Sequence, residues 1–531
     1  MAPDRAGGVP PRRRRVPALS TTLLCAALCA LGGTVRADRT DTAPLSAIPW
    51  LSETLRAPGS GSDGTTGPEN APAAPGELPA TPAPPADGVE VTPLGAPGIA
   101  ATGLMTPAGA GLSADLWAGA DADEAAAALA ALPPASLPAV QDVARALLLV
   151  EAAPADAGPD FFLARIDALL RRGDLAPAQA LLEAARPGDP ALFRRWFDIL
   201  MLTGAEDRAC ATLAAAPEIA PNYPVEVFCL ARSGRWHTAA LTLGTASALG
   251  AIETGMQDRL ARFLDPEIYE GAPPPPRPDP VTPLDYKLME AVGEAPATGT
   301  LPVAFAHLDL RPVVGWGAQI AAAERLAAAG ALDVNRLLEL YTRRLPRGVG
   351  GVWERARLVQ ALDVALTTGH ADEIAAILSD LQAAMAEAGL GPVAARMFAP
   401  RLARQDLAGA ARAVAAGMAL ASNTDAAFAP PRAAGTLPDR LAFATALAAG
   451  TAPPVAAPTP LASALRRALT APPPARDTTP GLALAAAVTT LAAPDPAPAD
   501  AARAIATLRA AGLDRPARHA ALQLLAAERP K

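Results

Sequence analysis

Alanine is by far the most frequent apolar residue in this chain, and this limits the core that the chain can build. Hydrophobic residues make up 51% of the 531 residues, yet aromatic residues make up only 4%, and there are 58 prolines. A buried alanine removes little apolar surface from water. One large globular core is therefore disfavoured, and we expect many closely packed helices separated by proline-containing breaks.

The first 37 residues have the three parts of a secretory signal peptide. Residues 1–15 contain five arginines, residues 16–31 are apolar, and Val35 and Ala37 are suitable for the −3 and −1 positions of a cleavage site. The apolar run is shorter than the ~20 residues that a membrane-spanning helix needs. We therefore predict cleavage after Ala37 and a periplasmic or secreted protein. A retained N-terminal anchor is the alternative.

Cleavage at this position makes the chain more acidic. Residues 1–37 hold six arginines and one aspartate, so their removal takes the formal net charge from −8 to −13. A strongly acidic protein is repelled by phosphate groups, and neither nucleic acid nor an anionic lipid surface is expected as a partner. No later segment is both long and charge-free enough to cross a bilayer, so no membrane span is expected after cleavage.

Two cysteines follow the predicted cleavage site, Cys210 and Cys229. An even number of cysteines fits an oxidising compartment. The two residues lie in helical runs on either side of a proline-containing turn, so antiparallel helices would bring them to similar heights. We predict a disulfide between them. Two buried free thiols are the alternative, and no neighbouring Cys or His completes a metal site.

Residues 38–111 are rich in Pro, Gly, Ala, Ser and Thr and are predicted to be disordered. Two islands interrupt this segment. One has Ile48, Trp50, Leu51 and Leu55 at the spacing of a short helix, and the other, residues 89–94, alternates like an extended strand. A tryptophan is costly to leave in water, so these four residues are candidates for docking in a groove of this chain or of a partner. An incidental apolar stretch in a linker is the alternative.

From Leu112 onward the apolar residues recur with helical spacing, and one kind of join between helices is repeated. A glycine ends the first helix, and the fifth residue after it lies early in the second helix. Glycine takes the left-handed conformation that ends a helix, and a small fifth residue lets the helices approach closely. The joins are Gly173 with Ala178, Gly234 with Ala239, Gly330 with Asn335, Gly369 with Ile374, and Gly512 with Ala517.

These joins resemble those of tetratricopeptide-type helical hairpins. Three longer segments resemble a family of uncharacterised alanine-rich secreted bacterial proteins: Ser46 to Ser52 (SAIPWLS), Val227 to Arg232 (VFCLAR) and Leu301 to His307 (LPVAFAH). Some members of that family carry an automatic antifreeze glycopeptide label, but the regular threonine array that ice binding requires does not occur here. The resemblance implies export and helical hairpins, and it implies no activity.

The fold class predicted from these patterns is all-α, a tetratricopeptide-like helical-hairpin solenoid preceded by a signal peptide and a disordered tail. Proline-rich stretches set the boundaries. The predicted segments are the signal peptide 1–37, the disordered segment 38–111, a helical repeat block 112–270, a proline-rich linker 271–283, a second helical block 284–422, proline-interrupted short helices 423–478, and C-terminal helical hairpins 479–531.

No arrangement of residues typical of an enzyme or a cofactor site stands out. The four histidines are scattered, and the close pair His307 and Asp309 is better explained as a hydrogen-bonded structural pair than as two metal ligands. The loop from Gly348 to Gly351 opens a helix and could present N–H groups to an anion, although a plain hairpin loop is the stronger interpretation. We predict no catalytic residues, no cofactor and no metal.

The functional hypothesis from sequence is a non-enzymatic periplasmic scaffold or adaptor that binds a protein or peptide partner, in envelope, secretion or motor assembly. Stacked helical repeats create long concave surfaces that suit this role. A cell-wall-active lytic enzyme with a helical superhelix is one alternative, although the region after Ala471 lacks the tyrosines of a lysozyme-like domain. A structural or stress-related secreted protein is another. The sequence leaves the oligomeric state undetermined.

Overall fold

The computed structural model of the protein describes residues 98–134, 136–186, 188–428 and 437–528, which all belong to one compact unit. This part of the chain is helical and contains no named strand, which confirms the all-α prediction. Its α-helices are α1 (Ala122–Ala130), α2 (Pro138–Leu149), α3 (Pro159–Arg172), α4 (Leu175–Ala185), α5 (Pro190–Thr203), α6 (Glu206–Ala215), α7 (Tyr223–Arg232), α8 (Trp236–Ala248), α9 (Thr254–Leu264), α10 (Pro283–Ala291), α11 (Trp316–Ala328), α12 (Val334–Thr342), α13 (Gly351–Thr368), α14 (Ala371–Glu387), α15 (Gly391–Leu402), α16 (Gly409–Ala421), α17 (Asp439–Ala448), α18 (Pro460–Thr470), α19 (Pro480–Ala492), α20 (Pro498–Ala510) and α21 (Asp514–Ala527).

Proline begins many of these helices. A proline in the first helical position loses nothing, because its missing N–H would have no partner inside the helix, and its fixed φ already suits the helix. The helices that begin in this way are α2, α3, α5, α10, α18, α19 and α20. The high proline content of the chain therefore separates helices rather than preventing them.

Each of the five predicted glycine joins separates two helices that pack on each other. All five glycines have positive φ, between 76° and 85°. The fifth residue after the glycine is fully buried at four of the joins, at Ala178, Ala239, Ile374 and Ala517. Asn335 is the exception, because its side chain is exposed. A small or apolar residue at this position therefore fills the contact between the paired helices.

The first of two main cores is built by helices from both ends of the described chain. Its buried residues come from residues 100–308 and 420–525. Helix α1 packs on α19, and α2 packs on both α19 and α21, so the last helices complete the core that the first helices begin. These long-range contacts are additional to the neighbour-to-neighbour packing of a solenoid. The solenoid itself stays a prediction.

The second core lies between residues 320 and 418, in α11 to α16. The first core continues through α10 and Phe305, so the change from one core to the next falls near residue 310, beyond the predicted linker 271–283.

A buried polar group lies in the second core. The Tyr341 hydroxyl donates to Glu324 Oε1 at 2.6 Å, and Arg355 Nε donates to the same oxygen at 2.8 Å. Burial and the Glu324 carboxylate raise the pKa of Tyr341, so its hydroxyl stays a donor.

The few aromatic residues are concentrated where they touch one another. Phe193 and Phe197 on α5 have ring centroids 6.3 Å apart, Phe197 and Phe228 on α7 are 6.1 Å apart, and Phe228 and Phe263 on α9 are 5.5 Å apart. Large side chains bury more apolar surface than alanine does, and paired rings add a further attraction. This row of rings therefore compensates in the first core for the small side chains elsewhere.

The structure joins Cys210 on α6 to Cys229 on α7 in a disulfide, in agreement with the predicted pairing. The two Cα atoms are 4.9 Å apart, and both side chains are buried. Helices α6 and α7 pack on each other, with the proline-containing turn between them. The bond therefore closes a loop of 19 residues beside the row of aromatic rings.

Arg165 on α3 is fully buried and binds backbone carbonyl groups rather than a carboxylate. Its Nε and Nη2 atoms donate to the carbonyl oxygens of Leu148 and Val150 at the end of α2, at 2.9 and 2.8 Å. Its Nη1 atom donates to the carbonyl oxygens of Ala100 and Thr102, at 3.1 and 2.7 Å. Burial lowers the pKa of Arg165 to about 10, so the guanidinium keeps its charge at neutral pH.

These contacts correct one boundary of the sequence prediction. Residues 98–111 fall inside the segment that we predict to be disordered, yet they have defined positions against the first core. Ala100 is buried, and the Leu104 N–H donates to the Leu149 carbonyl at 2.8 Å. The physical reason is the buried Arg165, whose guanidinium needs the carbonyl groups of this segment as acceptors. Residues 1–97, which include the predicted signal peptide, lie outside the described residues.

A polar cluster on α2 connects two of the glycine joins. Arg145 donates to the Asp174 carboxylate, next to Gly173, and to the carbonyl oxygen of Gly330. Gln141 Nε2 donates to the Ala328 carbonyl at 2.9 Å. A Cβ atom at Gly330 would lie 2.6 Å from Gln141 Oε1, and the φ of 77° at this position strains any other residue, so both the contact and the backbone favour glycine. The cluster therefore links the α3–α4 hairpin of the first core to α11 through α2.

His307 and Asp309 bind different partners and do not form the predicted structural pair. His307 Nε2 donates to the Gly173 carbonyl at 2.8 Å, whereas the Asp309 carboxylate accepts from the Thr298 hydroxyl. Both residues lie in the 3-10 helix Val303–Leu310, in which residues two apart point in different directions. Burial lowers the pKa of His307, which favours the neutral ring at this contact.

We expect Arg165→Met to lower the free energy of unfolding by about 3 to 5 kcal/mol, because it leaves buried carbonyl groups without donors. Urea unfolding followed by far-UV circular dichroism measures the change. Arg503→Met, at an exposed position on α20, is the matched control and should change stability by less than about 0.5 kcal/mol. Equal effects of the two substitutions would contradict the role given to Arg165.

We expect the double variant Cys210→Ser/Cys229→Ser to be less stable than the unmodified chain by about 3 kcal/mol, because the disulfide restricts the unfolded chain. Thiol alkylation of folded protein without reductant should leave both cysteines unlabelled. Mass spectrometry after alkylation, with and without reductant, makes this measurement. Efficient labelling of either cysteine before reduction would show that the bond is not formed.

Candidate functional site

An apolar cavity of about 630 Å³ lies where helices of the two cores meet. Its walls are formed by parts of six helices: the starts of α2, α15 and α17, the ends of α14 and α21, and the length of α16. Its lining residues are Leu137, Pro138, Gln382, Met385, Ala386, Gly389, Gly391, Pro392, Ala394, Ala413, Val414, Gly417, Met418, Ala421, Pro438, Arg440, Leu441, Gln523, Ala526 and Ala527.

Small side chains on packed helices create this space. Helix α16 packs on α21, yet it presents Ala413, Gly417 and Ala421 at intervals of four residues, which lie on one face of a helix. A Cβ atom at Gly417 would meet only the end of Leu441, at 3.9 Å. Alanine and glycine fill less volume than the gap between the helices, and the volume that they leave is the cavity.

Larger apolar side chains form the deeper parts of the walls. Met385 and Met418 belong to the second core, whereas Leu441 packs against the first. On the outer side, Gln382, Ala386 and Pro438 are exposed, so the cavity opens to solvent between α14 and α17. Methionine side chains are flexible and can adapt to ligands of different shape.

Gln523 on α21 lines the cavity and caps the start of α2. The residue before α2 is Leu137, whose side chain has no oxygen to accept from the first N–H groups of the helix. Gln523 Oε1 supplies that oxygen, accepting from the Ala139 N–H at 3.0 Å. Its Nε2 atom is buried and has no hydrogen-bond partner among the described residues. An oxygen atom placed beside it would satisfy this donor.

Arg440 at the start of α17 binds the end of α21 in a similar way. Its Nε and Nη2 atoms both donate to the Leu525 carbonyl, with the Nε distance at 3.0 Å. Leu525 lies in the last turn of α21, where carbonyl groups have no partner inside the helix. A guanidinium carries five N–H donors, so Arg440 has further N–H groups that can donate to a ligand. It is the one charged residue among those that line the cavity.

This lining is suited to binding rather than to catalysis. It contains no Ser, Thr, Cys, Asp, Glu, Lys or His that could act as a nucleophile or as a general acid or base. Its apolar walls can bury aliphatic or aromatic groups, while Gln523 and Arg440 can donate to an oxygen atom. A few donors in an apolar cavity of this size are typical of sites that hold a ligand in one orientation.

His519 lies one helical turn before Gln523 on α21 and is 4% exposed. Burial, together with the nearby charges of Arg515 and Arg518, lowers the pKa of His519 to about 4. The ring is therefore neutral at pH 7 in the folded protein.

The residues singled out from sequence lie elsewhere. Cys210 and Cys229 are in the first core on α6 and α7, and Ile48, Trp50, Leu51 and Leu55 lie outside the described residues. Within the ranges that the structure describes, no three His, Cys, Asp or Glu residues are grouped as a metal site. No sequence pattern predicted the cavity. Its only sequence signal is the small-residue spacing on α16, which is common in an alanine-rich chain.

No family model matches the chain, and no curated protein or solved structure is significantly similar to it. Across the described ranges, no helix has both the length and the apolar composition needed to cross a membrane. Only the residues of the cavity and of the surface therefore indicate a function for the chain.

We expect the protein to lose stability as the pH falls from about 6.5 towards 4. In this window the unfolded chain protonates His519, whereas the folded chain does not, so the unfolded state is favoured. At pH 5 this difference is on the order of 1 to 2 kcal/mol. Urea unfolding of the unmodified chain and of His519→Gln, at pH 7 and pH 5, measures it.

His519→Gln should show a smaller loss of stability between pH 7 and pH 5 than the unmodified chain. His237→Gln is the matched control, because His237 is exposed on α8 and should leave the pH dependence unchanged. If both variants retain the full pH dependence, His519 is not the group responsible.

Proposed function

We propose that this protein is a non-enzymatic, exported scaffold or adaptor that holds an apolar segment of a protein or peptide partner in the cavity between its two cores. The cavity carries the proposal, because it is open to solvent and is lined by apolar side chains. The helical hairpins act as a rigid, solenoid-like frame around it. In this proposal, residues 1–37 direct the chain to the periplasm or outside the cell.

The chemistry of the lining indicates what the partner segment offers. Met385, Val414 and Leu441 provide apolar contacts for one or two aliphatic or aromatic side chains. Gln523 Nε2 can donate to a backbone carbonyl of the segment, because every peptide unit carries one. The charge of Arg440 favours a partner with a carboxylate next to its apolar residues. An extended peptide meets all three requirements together.

The walls of the cavity are held in place by contacts within the protein, which supports binding without large rearrangement. Three helices begin at its edge, and long-range contacts hold two of its walls, from Gln523 to α2 and from Arg440 to α21. A preformed site loses less conformational entropy on binding than a flexible one. This is the property expected of an adaptor that binds a short segment.

The test fills the cavity and measures peptide binding. We expect Gly417→Phe to lower the affinity for labelled peptides that carry leucine, phenylalanine and one acidic residue by at least about tenfold, because the new ring occupies the space of the ligand. Fluorescence anisotropy with a panel of such peptides measures binding, and a polar panel of equal length shows whether apolar residues are required.

The matched control is Gly244→Phe, at an exposed helical glycine on α8 with nothing within 4 Å of its added Cβ. It should bind as the unmodified chain does. Val414→Asp is a second test variant, which places a charge in the wall without overfilling it. The proposal fails if no apolar peptide binds the unmodified chain, or if both cavity variants bind normally with unchanged thermal stability.

A further inference from the structure

The loop between α12 and α13, residues 343–350, is a basic and apolar surface on an otherwise acidic chain. We call it the basic loop. Arg343, Arg344 and Arg347 are exposed on it, and it contains no acidic residue. Of the adjacent carboxylates, Glu354 pairs with Arg357, and Glu339 pairs with Arg336 and with Arg343 of the loop itself. Arg343 also donates to Gln319 Oε1 at 3.1 Å, so Arg344 and Arg347 carry most of the positive charge that the loop offers to a ligand. The loop therefore carries a local positive charge.

Two aliphatic side chains project from the same loop. Leu345 is 81% exposed and Val349 is 94% exposed. They lie among the three arginines, Leu345 between Arg344 and Arg347 and Val349 two residues after Arg347. The loop thus presents guanidinium groups and apolar side chains together, as a surface that binds at a water–lipid boundary does.

The protein holds this loop in place, so the exposure is not that of a loose segment. The Arg344 carbonyl accepts from Gln360 Nε2, and the Gly348 carbonyl accepts from Arg357 Nη1, each at 2.7 Å. Trp353 packs so closely on Gly348 that a Cβ atom there would lie 2.2 Å from the indole. Trp353 in turn packs on Trp316, with ring centroids 5.2 Å apart.

We propose that the basic loop binds the surface of a bilayer that contains anionic phospholipids. Arginines form bidentate hydrogen bonds with lipid phosphates, while Leu345 and Val349 enter the boundary between headgroups and acyl chains. The aliphatic residues favour a lipid surface over a nucleic acid, which offers no apolar layer for them. This proposal stands independently of the cavity.

The net charge of the chain does not prevent this contact. At physiological ionic strength, charges more than about 8 Å apart in water are largely screened from each other. A membrane that approaches the basic loop is therefore attracted by the nearby arginines rather than repelled by distant acidic residues. The expectation from the net charge applies to the molecule as a whole and not to this loop.

The test places a reporter on the loop itself. In full-length protein with Cys25 and Cys29 replaced by serine, Val349→Cys is labelled with nitrobenzoxadiazole, whose emission shifts to the blue in lipid. We expect a blue shift with vesicles of equal parts phosphatidylglycerol and phosphatidylcholine, and none with phosphatidylcholine alone. Because the probe reports only on residue 349, binding by the basic, apolar residues 1–37 does not produce the signal.

Two controls separate this loop from other surfaces. Leu249→Cys, at a position with 72% exposure after α8, should show no shift with either vesicle. Adding Arg343→Gln, Arg344→Gln and Arg347→Gln to the labelled chain should raise the vesicle concentration that gives half of the shift by at least about tenfold. Arg235→Gln, Arg277→Gln and Arg503→Gln, three exposed arginines elsewhere, should leave it unchanged.

Several results would overturn the proposal. One is the absence of a shift at residue 349 with anionic vesicles, and another is an equal shift at residue 249. A shift that persists in the Arg343, Arg344 and Arg347 variant would show that these arginines do not drive binding. A shift with poly-glutamate but not with anionic vesicles would show that the loop recognises an acidic polypeptide instead of a lipid surface.

Discussion

Helix α2 is the element on which the arrangement of the other helices depends, because residues distant in sequence satisfy both of its ends. Gln523 from α21 binds the first free N–H of α2, and Arg165 from α3 binds the carbonyl groups at its end. The backbone groups at helix ends need such partners when they are buried. Arg145, near the middle of α2, joins the Gly173 and Gly330 turns. The two cores thus meet along one buried helix.

The cavity follows from the same arrangement. Gln523 can cap α2 only if α21 lies across its start, and α21 also packs on α16. Because α16 presents alanine and Gly417 at this contact, the helices cannot fill the space between them. The result is an apolar site with fixed donors, made by helices from three separate parts of the chain. The binding role that we propose rests on this lining, as the membrane contact that we propose rests on the basic loop.

Much of the helical framework could be predicted from the sequence. Glycine followed by a buried small or apolar residue five positions later marks four of the five joins, because left-handed caps and close helix contacts have local requirements. The spacing of Cys210 and Cys229 around a proline-containing turn predicts their pairing for the same local reason. Arg165 shows where such reasoning ends. A buried arginine without a carboxylate partner gives no pattern in sequence, so the ordered position of residues 98–105 was not expected.

The sequence by itself determined an all-helical chain of short, alanine-rich helices with breaks at proline and glycine, because helix formation and termination depend on neighbouring residues. Only the tertiary structure decided which helices share a core, where the cavity lies and which way the basic loop is held. These features depend on pairs such as Ala139 with Gln523 and Gly348 with Trp353. Many different partners could cap a helix start or cover a glycine, and the chain selects one of them only when its helices have packed.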